Sequence, residues 1–166
     1  MRADDARGRD QDTPEDFAAW VDPELSKMSR LAARLAPDAD RDDVVQEALV
    51  RAWRKRDQYN ERRGTPATWL LAITADQARR ARRRRRPFAV LGEITVPASL
   101  PDDQVDVEAA VARLSGRQKL AVDCFYFVDL SVTETAAVMG CSEGTVKSTL
   151  SDARKRLRRI LEVGDG

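Results

Sequence analysis

The chain predicts an all-α fold of two small helical domains joined by a linker, and three observations carry that prediction. Apolar residues recur three and four positions apart along most of the 166 residues, and no strand-like alternation competes. Helix starts are marked repeatedly by a capping side chain followed by proline, or by a capping box. Residues 87–106 keep no helical period and divide the chain. The expected organisation is a disordered tail over 1–12, a first domain over 13–86, the linker, and a second domain over 107–161.

The first helix starts at Thr13-Pro14-Glu15-Asp16, with a cap, a proline and two acids near the positive dipole end. Phe17, Trp20 and Val21 form its apolar side, and Pro23 breaks or kinks it. Leu25, Met28, Leu31, Ala32 and Leu35 define a second helix, which ends near Ala36-Pro37. Asp40 or Asp42 caps a third, whose inner face is read as Val45, Leu49, Ala52 and Trp53. Its remaining sides carry Asp42, Asp43, Gln46, Glu47, Val50, Arg51 and Arg54. Tyr59 to Gly64 is a polar loop. Thr65-Pro66-Ala67-Thr68 then opens a helix with Trp69, Leu70, Ile73 and Ala78, which runs into arginines and stops at Arg86-Pro87. Asp106 begins the second block, with Val107, Ala110, Val111 and Leu114; Ser115 and Gln118 form a capping box ahead of Leu120, Ala121, Cys124, Phe125 and Val128.

Ser131 to Arg159 reads as a helix-turn-helix that continues into a basic tail. Ser131 and Glu134 have capping-box spacing, Ala136 is small at an expected crossing point, and Gly140 stands where the first helix must stop and turn. Ser142 caps the next helix, and Val146 and Leu150 give it an apolar face. Thr145, Lys147, Ser148 and Thr149 lie beside or opposite that face, free to meet a DNA groove, and Arg154, Lys155, Arg156, Arg158 and Arg159 follow as phosphate partners.

Net charge is only +1, so global charge says little about partners, but its distribution says more. Arg79 to Arg86 holds seven arginines and one alanine, whereas Glu93 to Glu108 carries five acids and no base. Such separation suits a nucleic-acid surface kept apart from an acidic linker. No apolar run approaches the roughly 18 residues of a membrane span, and the N-terminus lacks the apolar core of a secretory signal. The two cysteines, Cys124 and Cys141, fit a reducing cytosol, and Cys124 falls on an apolar face, which favours two reduced, partly buried thiols over a redox pair. With no histidine and no cysteine cluster, a zinc site of the usual kind is excluded, and neither cofactor nor metal is expected.

Three segments together resemble a bacterial RNA polymerase sigma factor of the extracytoplasmic-function group. Asp38 to Trp53 is similar to the family's polymerase-binding helix. Gly64 to Arg86, with Trp69-Leu70 ahead of the arginines, is similar to the helix that meets the −10 promoter element. Leu114 to Gln118 and Glu143 to Ser148 resemble the domain that meets the −35 element. The resemblance spans about Asp16 to Leu161, and it implies core RNA polymerase and promoter DNA as partners, with an anti-sigma factor as a further partner that the family implies. It assigns polymerase contact to Asp43, Gln46, Glu47 and Arg51. For the −10 region it implies Arg79, Arg80, Arg83, Arg84, Arg85 and Arg86, with base capture by the loop holding Tyr59 and Asn60. For the −35 region it implies Ser142, Thr145, Lys147, Ser148, Thr149 and Arg154. The chain departs from the family at Asp76, where asparagine is common, at Arg80, where aspartate is common, and at Thr149, where many members place an arginine suited to guanine.

Two rival functions are weighed. A free-standing helix-turn-helix repressor or activator usually dimerises on paired half-sites, yet no heptad seam is evident and the acidic helix at Asp43 to Trp53 is left without a task. A nucleic-acid-processing enzyme needs a general base, nucleophile or metal site, and Asp42/Asp43 sit on a helix surface with no discernible pocket. The expectation is therefore a cytoplasmic transcription factor that has no catalysis of its own.

Overall fold

The computed structural model describes residues 13–85 and 102–164. The tail expected over 1–12, the linker residues Phe88, Val90, Leu91, Ile94 and Val96, and Arg86 lie outside the described residues. The described residues are helical, without strands, and the chain divides into two compact units, Met1–Arg82 and Arg83–Gly166.

In the first unit, Thr13 caps α1 (Pro14–Val21) by accepting from the Asp16 N–H at 3.2 Å. Pro23 lies in a single 3-10 turn, Asp22–Glu24, so the chain bends before α2 (Leu25–Leu35). Met28, Leu31 and Ala32 of α2 are fully buried and pack on α3 (Arg41–Arg54). Asp40 rather than Asp42 is the cap of α3: its carboxylate accepts from the N–H groups of Asp42 and Asp43 at 2.9 and 3.1 Å. An alanine there would cost about 1 kcal/mol. The inner face of α3 is Val44, Val45, Ala48 and Ala52, whereas Leu49 and Trp53 are only half-buried. The expected stripe was therefore rotated: close approach of α2 selects small Ala48 over larger Leu49.

Helix α4 (Pro66–Arg85) starts where Thr65 Oγ1 accepts from the Thr68 N–H at 3.3 Å. Its buried side is Leu70, Leu71, Thr74, Ala75 and Ala78, with the Thr74 hydroxyl donating back to the Leu70 carbonyl at 2.8 Å. Trp69 and Ile73 are half-buried. Gly64 precedes the helix because a Cβ there would fall 2.5 Å from Thr68 Oγ1.

The second unit opens with α5 (Asp102–Ala112), which begins four residues before the expected Asp106, inside the stretch read as linker. Pro-Asp-Asp at 101–103 is itself a helix-start pattern of the kind found at Thr13-Pro14. Val107 stays 42% exposed, contrary to expectation, because the packed cluster engages only the last turn and its exit, through Val111 and Leu114. Both bonds of the Ser115/Gln118 capping box are present at the start of α6 (Gly116–Val122). The chain then widens into one π-helical turn, Asp123–Phe127, instead of continuing as the regular helix expected to Val128. That turn buries the Asp123 carboxylate, which Lys119 Nζ meets at 2.7 Å.

Helices α7 (Val132–Met139) and α8 (Glu143–Gly164) complete the unit. The Ser131/Glu134 capping box is formed, and Gly140 adopts the left-handed conformation, φ 64° and ψ 38°. Val146, Leu150 and Ala153 of α8 pack with Ala121, Val122 and Ala136 in one cluster. Cys124 is buried and Cys141 half-buried, both as free thiols.

Candidate polymerase and nucleic-acid interfaces

Helix α3 turns a charged side outward. Asp43, Gln46 and Glu47 are exposed and Arg51 is half-buried, and all four line a cleft of about 630 Å³. Acids occupy its earlier turns; Arg51, Arg54 and Lys55 occupy its end, an order that the helix dipole favours. Val50, 49% exposed, adds an apolar patch among these charges. The expectation that no pocket accompanies the acidic residues is corrected here, since Asp43 lines this cleft.

Gln77 of α4 also lines the cleft, a residue that sequence reasoning missed. It is 5% exposed, and its Nε2 has no hydrogen-bond partner among the described residues. A buried amide donor left unpaired costs about 1–3 kcal/mol. Helical spacing hinted at it, because Gln77 falls among Thr74, Ala75 and Ala78 on the buried side.

The loop between α3 and α4 is held by aromatic rings. Tyr59 stands 5.3 Å from Trp20 and 5.5 Å from Trp69, centroid to centroid, and Phe17 links this group to Trp53 at 5.2 Å. The Tyr59 hydroxyl donates to the Gly64 carbonyl at 3.1 Å. Burial, and secondarily the charge of Glu61, pushes this phenol above its ordinary value. The structure thus engages Tyr59 in holding the loop, a role the sequence had not suggested, and its ring is turned to neighbouring rings. Asn60 beside it is exposed, its side-chain oxygen accepting from the Arg62 N–H at 2.9 Å.

Along α4 the arginines become progressively exposed. Arg79 is half-buried, and Arg80, Arg83, Arg84 and Arg85 are exposed. Arg80 Nε donates to Asp76 at 3.1 Å, so the two unusual residues of this helix neutralise each other one turn apart.

In the second unit, the Ser142 hydroxyl accepts from the Thr145 N–H at 3.2 Å and caps α8. Lys147 and Ser148 are exposed, while Thr145 and Thr149 are half-buried at the edge of the packed face. Thr133 of α7 donates to Glu143 at 2.7 Å, tying the two helices together at the turn. Arg154 is exposed and donates to the Tyr126 hydroxyl at 2.9 Å. The outer side of α8 is therefore a polar surface with a cationic end, built on a helix whose other side is fixed by Val146 and Leu150.

Comparison with known proteins decides the family. Residues 20–88 match the model for Sigma-70 region 2, and residues 104–157 match that for Sigma-70, region 4. The chain is 31% identical over 155 residues to the ECF RNA polymerase sigma factor SigL of Mycobacterium tuberculosis, covering 87% of this chain and 88% of SigL.

The chain belongs to the ECF RNA polymerase sigma factors.

The RNA polymerase sigma-E factor of Streptomyces coelicolor is 32% identical over 158 residues, covering 90% of this chain and 88% of that protein. Among solved structures, this sigma factor is similar to RpoE of Bartonella quintana, crystallised in complex with the anti-sigma factor NepR; identity is 28%, TM-score 0.62, and coverage 90% and 98% of the two chains. Region 2 takes in α2, α3 and all of α4, and region 4 takes in nearly all of α5, then α6, α7 and most of α8. No helix among the described residues is long and apolar enough to cross a membrane.

Proposed function

We propose that this sigma factor engages core RNA polymerase through the α3 cleft, the −10 element through the arginine end of α4 and the loop at Asn60, and the −35 element through α8. As a sigma factor it binds core polymerase, directs it to promoters and assists DNA opening. The phosphodiester chemistry belongs to the polymerase, and the chain needs no catalytic group of its own. It works in the cytoplasm, where transcription takes place.

One observation carries the polymerase assignment: the charged side of α3 lines a cleft that also holds Gln77, whose Nε2 has no hydrogen-bond partner among the described residues. Acids followed by bases along one helix suit a partner helix of the opposite charge order. The terminal amide torsion of glutamine is broad, so a small rotation offers Nε2 to an acceptor entering the cleft. The solved complex of RpoE with NepR supports regulation by an anti-sigma factor, which would act by occupying a surface that polymerase needs.

For DNA, Arg83, Arg84 and Arg85 supply phosphate neutralisation. Arginines also hold a single-stranded backbone and stack on bases once the duplex opens. On α8, Thr145 and Lys147 lie near the helix N-terminus, where backbone N–H groups face anions, and Ser148 and Thr149 are better placed for base edges. Gel filtration of the chain with and without core polymerase tests the reading: co-elution as a one-to-one complex is expected. A chain that elutes as a homodimer and ignores polymerase would instead support a free-standing helix-turn-helix regulator.

A further inference from the structure

Asp152 is an acid on a surface read as DNA-binding. It lies on α8, whose buried stripe is Val146, Leu150 and Ala153. At 3.6 residues per turn, positions 145, 148, 149 and 152 share one side of that helix, at the spacing i, i+3, i+4 and i+7. Helices that lie along a major groove present residues to base edges at this spacing. Asp152 is exposed. Lys155 and Arg156 stand three and four residues further on, within the usual reach of a helical ion pair. Even so, the Asp152 carboxylate makes no ion pair among the described residues. Two of the three hydroxyls preceding it on this side are engaged locally: Thr145 Oγ1 lies 2.9 Å from Ser142 Oγ, and Ser148 Oγ donates to the Thr145 carbonyl at 3.0 Å. Asp152 is thus a charged acceptor left unengaged on the stripe.

A carboxylate pressed toward phosphates is repelled unless the groove gives it donors. The major groove offers two amino groups, N4 of cytosine and N6 of adenine. Adenine sets its N7 acceptor beside N6, and that lone pair repels a carboxylate. Cytosine has no acceptor on that side. Resting on the assignment of α8 to the −35 element, we infer that Asp152 reads a cytosine through its N4 amino group. Three residues separate it from Thr149, a rise of about 4.5 Å, so the cytosine lies about one base pair beyond the pair that Thr149 touches.

Holoenzyme made from core polymerase and the full chain is used to select from a promoter library randomised across the −35 region. Wild type is expected to enrich cytosine, on one strand, at one position by about 5- to 100-fold. Asp152→Asn is expected to move that position toward adenine, because an amide pairs with adenine N6 and N7. Asp152→Ala is expected to flatten it while leaving the other positions enriched. Binding of both variants to core polymerase, and their helical content, verify that the exposed substitutions leave the fold intact. If wild type and both variants enrich the same bases equally, or if the affected position is not a cytosine in wild type, Asp152 reads no base as inferred. If wild type enriches no upstream element at all, the assignment of α8 itself fails, and this inference with it.

Discussion

Gln77→Met separates a functional amide from a packing defect. In the free chain Gln77 is 5% exposed and its Nε2 is buried without a partner among the described residues. Methionine has nearly the same length and removes the amide. Relief of an orphaned donor is worth about 1–3 kcal/mol, and imperfect refilling of the space takes back up to about 1.5 kcal/mol. The expected net result is a gain of about 1 kcal/mol, equivalent to about 4–8 °C in Tm for a domain of 60–100 residues. Binding to core polymerase is expected to move the opposite way. A donor satisfied only in the complex contributes about 1–3 kcal/mol, so Kd should rise by a factor of about 5 to 150. Thermal unfolding followed by circular dichroism gives the first quantity, and titration of labelled chain with core polymerase gives the second. Higher Tm with unchanged affinity would refute the role of the amide in binding. Lower Tm would refute the premise that it is unsatisfied.

Charge reversal at Asp43 and Glu47, each to lysine, should weaken the polymerase complex tenfold or more at low salt, without loss of helical content; unchanged affinity with normal circular dichroism would reject this side of α3. Replacing Arg83, Arg84 and Arg85 by alanine should reduce the salt dependence of duplex binding by about one unit per lost phosphate contact, and an unchanged slope would mean the three are merely solvated. Thr149→Arg should shift selection toward guanine at one −35 position while polymerase binding stays intact; identical selected sites would place Thr149 away from the bases. Tyr59→Phe should cost about 1 kcal/mol at neutral pH by removing the bond to Gly64. Because the Tyr59 phenol is pushed up, the stability it contributes is complete below its ordinary value of about 10 and is lost as pH rises through the higher folded value. Denaturant unfolding at pH 8 and pH 11 should therefore show an alkaline loss in wild type that the phenylalanine variant lacks.

Local signals in this chain were legible wherever a helix end is decided by its own residues. Ser115 with Gln118, Ser131 with Glu134, and Gly140 all do what their spacing says, because caps and left-handed turns involve partners only a few residues away. Inner faces were legible to about one position. On α3 the choice of Ala48 over Leu49 is made by the approach of α2, which no periodicity within α3 reveals. The same holds for Asp123, a charge buried where α6 passes into the π turn, one helical turn after Lys119. Tyr59 looked like an open loop residue because Trp20 and Trp69, which flank it in space, are 39 and 10 positions away in the chain. Of the candidate site, the charged side of α3 was legible as a helical stripe, whereas Gln77 was not, since it joins the cleft from another helix.

The central claim is that this chain gives core RNA polymerase its promoter choice. Purified core polymerase supplied with the chain should be used to transcribe genomic DNA in vitro, with every 5′ end mapped by sequencing. The account predicts new start sites, absent with core alone, that share one sequence element near −10 and another near −35. Starts identical to those of core alone, or new starts that share no upstream element, would contradict it.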